Sequence, residues 1–177
     1  MPYFPPSSEG ATQLFIPAAA FVPTITNGAQ RYIAEDATND LMEDSLAFDT
    51  STQEFATVDF ALPKRWNLGT VTVKPIWRGT GSSTQTVQWG FSAVAISNDD
   101  AADAALGTVV TSADTWIADA DFHVGPATSA MTVAGAPAAG DMIRLKVQRD
   151  VASDDLSGDA RLQGVILTFT TNAATDA

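Results

Sequence analysis

Cysteine is absent and histidine occurs only once. Without thiols there can be no disulfide and no thiolate metal site, and a lone imidazole supplies neither a multi-histidine centre nor a Cys–His pair. Stability outside a cell would have to come from packing or association. Basic charge is scarce too: 9 Lys and Arg stand against 21 Asp and Glu, a formal charge of −12. Nucleic-acid binders exchange phosphate counterions for basic side chains, and an anionic membrane surface repels an acidic chain, so neither partner fits. Lys64, Arg65, Lys74 and Arg78 are enough for a small basic patch, but ordinary solvated strand edges account for them. No apolar run approaches the ~20 residues of a membrane span. The start, Met1-Pro2-Tyr3-Phe4-Pro5-Pro6, lacks the basic and then apolar stretch of a secretory leader. The expectation is synthesis and folding in a cytoplasm.

Charged residues make up only 17% of the chain, below the usual quarter, with Thr, Ser, Ala and Gly in their place. That composition suits strands and turns whose outer faces are neutral or covered, a hint of assembly. The 177 residues fit one domain, or one domain and an arm, and a chain of this length buries roughly two-thirds of its unfolded surface.

Residues 1–24 contain Pro2, Pro5, Pro6, Pro17 and Pro23, which disfavour a helix by fixing φ and extending the preceding residue. The same stretch holds Tyr3, Phe4, Leu14, Phe15, Ile16, Phe21 and Val22, too apolar for a solvated linker. An extended arm lying on its own domain or on a neighbouring subunit satisfies both facts. The expected division is therefore an arm over 1–24 and a folded domain over 25–177.

From Arg31 onward the hydrophobic period is two. Met42, Leu46 and Phe48 share a face of a strand over 41–48, and Ala56, Val58, Phe60 and Leu62 share one over 55–62. The polar turn Asp49-Thr50-Ser51-Thr52 between them predicts a hairpin. Val71, Val73 and Trp77 align next, with Pro75 pointing to an edge or bulge. Val87, Trp89, Phe91, Ala93 and Ala95 mark the strongest central strand. Trp116 to Val124 alternates, Met131 and Val133 lie in a short strand, and Ile143, Leu145 and Val147 alternate most cleanly of all. Val165, Leu167 and Phe169 face inward on the last strand. One short helix is expected, capped by Ser97 or Asn98, favoured by Asp99 and Asp100 and stopped by Gly107. Strands at this spacing without crossover helices predict an all-β antiparallel sandwich, jelly-roll-like, with that helix and the extended arm.

Signs of chemistry are few. No serine stands in a nucleophile elbow to pair with His123, which follows Asp119 and Asp121 on the expected polar face of a strand. Twenty-one acids will bring some carboxylate pair to glycosidase spacing by chance, and no feature nominates one. Asp99, Asp100 and Asp103, and separately Asp154, Asp155 and Asp159, offer the oxygens calcium wants, yet neither group has EF-hand spacing; Asp99 and Asp100 already complement the expected helix dipole, and the second group solvates its loop. No glycine loop introduces a helix to cradle phosphate. No enzyme activity, cofactor or metal is expected. Of four tryptophans, Trp89 and Trp116 belong to apolar faces, and Trp66, beside Lys64 and Arg65 in a loop, is the one expected to be exposed as a ligand contact.

Several pieces occur in order: Leu46-Ala47-Phe48-Asp49-Thr50, Phe60-Ala61-Leu62-Pro63, Pro63-Lys64-Arg65-Trp66-Asn67, Val87-Gln88-Trp89-Gly90-Phe91, Ala95-Ile96-Ser97-Asn98-Asp99-Asp100-Ala101 and Leu162-Gln163-Gly164-Val165. From roughly Leu41 to the C-terminus the chain thereby resembles small β-sandwich virion proteins of tailed bacteriophages and prophages. The resemblance implies a non-enzymatic structural protein, foremost a head decoration (cement) protein. Its arm residues Tyr3, Phe4, Leu14, Phe15, Ile16, Phe21 and Val22 would bind the major capsid protein or neighbouring copies, within a homotrimer. The alternative is a tail or fibre module binding host surface glycans.

Overall fold

The computed structural model describes residues 10–119, 121–172 and 176. Its strands are β1 (Gly10–Pro17), β2 (Val22–Pro23), β3 (Gln30–Asp36), β4 (Leu41–Phe48), β5 (Phe55–Ala61), β6 (Thr72–Gly79), β7 (Thr86–Ile96), β8 (Val110–Thr115), β9 (His123–Val124), β10 (Met142–Arg149) and β11 (Ala160–Thr171). They form two antiparallel sheets. Sheet A runs β3-β4-β11-β6-β9, and sheet B runs β2-β5-β10-β7-β8. Strand β11 spans most of sheet A. Its first residues, Ala160–Leu162, pair with β4, and after a bulge at Gln163 the same side pairs with β1 from Gly164 to Thr171.

The layers stack because each strand turns one alternating set of apolar side chains inward. Trp77, Phe48, Leu162 and Leu167 of sheet A meet Trp89, Phe91 and Leu145 of sheet B, all of them sealed from solvent. The Phe48 and Trp89 rings cross the interlayer space edge to face, with centroids 5.2 Å apart. Each such side chain contributes roughly 1.5–3 kcal/mol by leaving water. Pro75 is accommodated because its side of β6 faces the two-residue β9, where its carbonyl accepts from Gly125 N–H at 2.9 Å.

Three sequence expectations require correction. The first is the helix: among the described residues the only helical feature is a single 3-10 turn, Ala18–Ala20. Over 97–100 the local side chains win instead. The Asp100 carboxylate accepts from Ser97 N–H at 2.8 Å, Asp99 takes φ of +67°, and a tight turn closes where a helix would start. Gly107 then bonds to the Ala93 carbonyl, so the segment lies along β7.

The second is the hairpin across Asp49–Thr52. Strand β4 belongs to sheet A and β5 to sheet B, so this turn is a corner between layers. The Asp49 carboxylate gathers Ser51 Oγ, Ser51 N–H and Thr52 N–H at 2.6–2.7 Å, which tightens the chain and redirects it. The true hairpin partner of β4 is β3.

The third is the strand over 116–124. The chain leaves sheet B after Thr115, Asp121 N–H bonds back to the Ala118 carbonyl, and sheet A is rejoined for only His123 and Val124.

The segment expected to be an arm is a working part of the sandwich from Gly10 onward. Ile16 and Phe21 are buried in the core, and Leu14 packs against it. Phe15 and Val22 face outward, while Tyr3 and Phe4 lie outside the described residues.

Candidate functional site: an aromatic and guanidinium row on sheet A

The core-facing residues of sheet A leave a second alternating set pointing away from sheet B. On β4 this set includes Glu43 and Ser45, on β11 Arg161 and Gln163, on β6 Arg78, and on β3 Tyr32 and Asp36. These positions meet because the strand register pairs Arg161 with Arg78 and Tyr32 with Ser45.

Two guanidinium groups directly opposite one another would repel. Glu43 resolves the conflict. Although it stands on the outer face, it is only 6% exposed, because the longer side chains close over it. Its Oε2 accepts from Arg78 Nη1 at 3.0 Å, and its Oε1 accepts from Gln163 Nε2 at 2.7 Å and Ser45 Oγ at 2.8 Å. The Arg161 Nε lies 3.2 Å from the same Oε1. Asp36 holds Arg78 from the other side at 2.9 Å. The Asp36 hydrogen bond foremost, together with the Glu43 charge, pushes the Arg78 guanidinium above its ordinary range and fixes it as a cation.

Each guanidinium also carries an aromatic ring. Arg161 lies 4.7 Å from the centre of Tyr32, and Arg78 lies 5.1 Å from the centre of Phe122. The outer face of sheet A thus presents a row, Tyr32–Arg161–Arg78–Phe122, held from below by one shared carboxylate. Tyr32 is 36% exposed and Phe122 59% exposed, so both rings offer surface to solvent. The row comes from β3, β11, β6 and the loop before β9, and no local motif announces it. The available signal was the polar half of the alternation, where long planar side chains stand in place of Thr and Ser.

Sheet B has its own concavity, an open groove of about 230 Å³ lined by Thr57, Val94, Ile96, Asp103, Leu106 and Arg144. Arg144 grips Asp59 through two hydrogen bonds of 2.7 and 2.8 Å and donates a third to the Ala102 carbonyl. The carboxyl of Asp59 is held below its usual range chiefly by those bonds.

Trp66, expected in an exposed loop, is 3% exposed. The loop does not stand away from the sandwich: Asn67 N–H bonds to Thr170 O and Asn172 N–H to Arg65 O, both at 2.9 Å, so it lines the end of β11 and turns the indole inward. His123, expected on a polar face, is also buried. Its ring stacks on Trp77 at 4.4 Å, and its Nε2 accepts from Ile117 N–H at 2.9 Å. Among the described residues no serine or carboxylate is hydrogen-bonded to it. The acidic loop residues serve the backbone. Asp154 takes Arg149, and Asp155 accepts from Thr86 N–H at 2.6 Å. Among the described residues no three His, Cys, Asp or Glu side chains converge to hold a metal ion.

No protein-family model and no curated protein sequence matches this chain. Solved structures do resemble it in outline. One is a mannan-recognising carbohydrate-binding module at 8% identity and TM-score 0.46, covering 90% of this chain and 98% of the other. Another is a family 11 carbohydrate-binding module from Clostridium thermocellum at 9% identity and TM-score 0.42, covering 95% and 91%. A third is the enzymatically active domain of tailspike protein 4 of bacteriophage CBA120 at 12% identity and TM-score 0.34, covering 90% of this chain and 19% of the other.

Proposed function

We propose that the chain is a non-catalytic module that binds glycans across the outer face of sheet A. The single observation behind this reading is the row Tyr32–Arg161–Arg78–Phe122 above the buried Glu43. Saccharides present apolar C–H faces and planes of hydroxyls. Exposed rings pack against the first, and the polar groups of the row that still reach solvent, the Asp36 carboxylate and the edge of Arg161, bond to the second. The guanidinium groups are already stacked and paired, so little side-chain freedom remains to be lost when a ligand arrives. The residues that such recognition needs stand together on this face. The setting we assign is the tail or fibre of a phage particle, following the resemblance of the ordered motifs. Head decoration through the N-terminal segment finds little support, because Leu14, Ile16 and Phe21 are spent on the chain's own core.

The test is a glycan array followed by titration calorimetry, with Tyr32→Ala and Phe122→Ala as separate variants. Binding should be detected, and each variant should weaken it about tenfold or more, the factor equivalent to ~1.4 kcal/mol. No binding to any glycan, or binding untouched by both variants, would sink the proposal.

A further inference from the structure

Strand edges left open are rare, because unpaired N–H and C=O groups invite another chain. In this sandwich β2 and β9 are only two residues long. The edge of β8 is partly covered by the following segment, where Ser112 Oγ donates to Pro126 O at 2.7 Å. Among the described residues two longer strands are paired on one side only, β1 with β11 and β3 with β4. Of these β3, seven residues long, ends the main run of sheet A. Around it lie exposed apolar side chains: Ile33 is 63% exposed and Met42 on the neighbouring strand 65%.

We infer that β3 is a homodimer interface, pairing antiparallel with β3 of a second copy about a two-fold axis that passes between the two Ile33 residues perpendicular to the sheet. The sequence of the strand argues for this occupant. A two-fold axis perpendicular to the sheet allows only registers in which a residue meets one on its own face. Centring on Ile33 places it against its own copy, Arg31 against Glu35 twice, Tyr32 against Ala34, and Gln30 against Asp36, and it uses all seven residues. Moving the axis to Tyr32 sets Arg31 against Ile33, and moving it to Ala34 sets Tyr32 against Asp36 and Ile33 against Glu35. Only the Ile33 register matches opposite charges and joins apolar residues. It also works whichever set of backbone groups faces outward, since an antiparallel ladder alternates bonded and non-bonded pairs.

Two consequences follow for the face described above. The outer surfaces of the two copies become one continuous sheet, with the small Ala34 leaving room beside the partner's Tyr32. The association is two-fold, in place of the three-fold that the virion resemblance implies, and it does not depend on what the row binds.

The experiment is sedimentation velocity on the full chain across micromolar to millimolar concentrations, with circular dichroism to verify folding. The wild type should dimerise. Glu35→Arg alone and Arg31→Glu alone should each be monomeric, because each sets like charges opposite one another twice; Arg31→Glu also breaks the Arg31–Asp44 ion pair within its own copy, so Glu35→Arg is the decisive single variant. Mixed in equal amounts, the two variants should recover a one-to-one dimer, since every mixed pair is then Arg against Glu. A wild type that stays monomeric throughout, a trimer, a dimer indifferent to Glu35→Arg, or variants that fold but fail to pair when mixed would each overturn the inference.

Discussion

The guanidinium of Arg149 meets the carboxylate of Asp154 through hydrogen bonds of 2.7 and 2.8 Å, with both side chains almost completely removed from solvent. The remaining donors of Arg149 are also used, by the carbonyls of Phe48, Leu156 and Gly158 at 2.7–3.1 Å. One side chain on β10 therefore ties together the end of β4 and the loop before β11. A buried pair of this kind is costly to form and far costlier to halve, because the survivor is left charged in a dry site.

Asp154→Ala should consequently cost about 3–5 kcal/mol of folding free energy, read as a fall in denaturant midpoint at unchanged slope. The double variant Arg149→Met/Asp154→Leu should be markedly less harmful than Asp154→Ala, since no orphaned charge remains. A double variant as damaging as the single one would show that the carbonyl contacts, and not the ion pair, carry the effect.

Acid should loosen the corner between the layers. Hydrogen bonds foremost from the Ser51 hydroxyl, then from Ser51 N–H and Thr52 N–H, hold the Asp49 carboxyl at about 2, down from its ordinary 3.8. A carboxyl depressed in the folded state adds stability that is fully present above the unfolded value and disappears as pH falls through the folded one. The Asp49 contribution, ~1 kcal/mol after allowance for solvent screening, should be intact above about pH 5 and lost between about pH 4 and 2. Denaturant titrations of wild type and Asp49→Asn should converge over that range and differ above it.

Strand β1 should prove indispensable. Deleting residues 1–24 removes Ile16, Ala18 and Phe21 from the core and uncovers the side of β11 from Gly164 to Thr171. Loss of cooperative unfolding is expected. A gentler probe is Gly164→Ala: a methyl there would approach the Ile16 carbonyl oxygen and the Phe15 ring to 2.7 Å, so β1 must shift. A cost of about 1–3 kcal/mol is expected, with faster hydrogen exchange in β1 than in β10.

Glu43→Ala should separate support from surface on the sheet A platform. Without its carboxylate, Arg78 and Arg161 face each other across the strands, so stability should fall by about 1–3 kcal/mol and ligand binding with it. Tyr32→Ala and Phe122→Ala, which remove exposed rings, should reduce binding while changing stability by well under 1 kcal/mol. Thermal melts set beside calorimetry distinguish the two behaviours.

Much of the architecture was readable from side-chain alternation. The inward faces of β5, β7, β10 and β11 follow Val58, Trp89, Leu145 and Leu167, because a strand with one dry face must alternate. Strand β3 left no such trace, since it is exposed on both faces and its apolar Ile33 has nothing to bury against. Pairing was also hidden. A polar turn such as Asp49–Thr52 reads alike whether it closes a hairpin or carries the chain between layers, and only long-range packing decides. No helix forms after Ser97 because the Asp99 and Asp100 carboxylates shape a turn in place of complementing a helix dipole. Trp66 and His123 misled for a related reason: local polarity says little about a loop that β11 pulls inward. The platform on sheet A was least accessible, because Tyr32, Glu43, Phe122 and Arg161 lie far apart in the chain and become neighbours only through register.

The antiparallel match of Gly10 with Thr171 and of Pro17 with Gly164 sets the start of the first described strand beside the end of the last, at one corner. Tension applied at those ends would load the β1–β11 ladder one rung at a time, not all rungs together. Under pulling the fold should peel open at low force from this seam, however stable it is in solution. A module that must bear load would be anchored elsewhere, while one spliced as an insert into a host loop would hardly disturb its host.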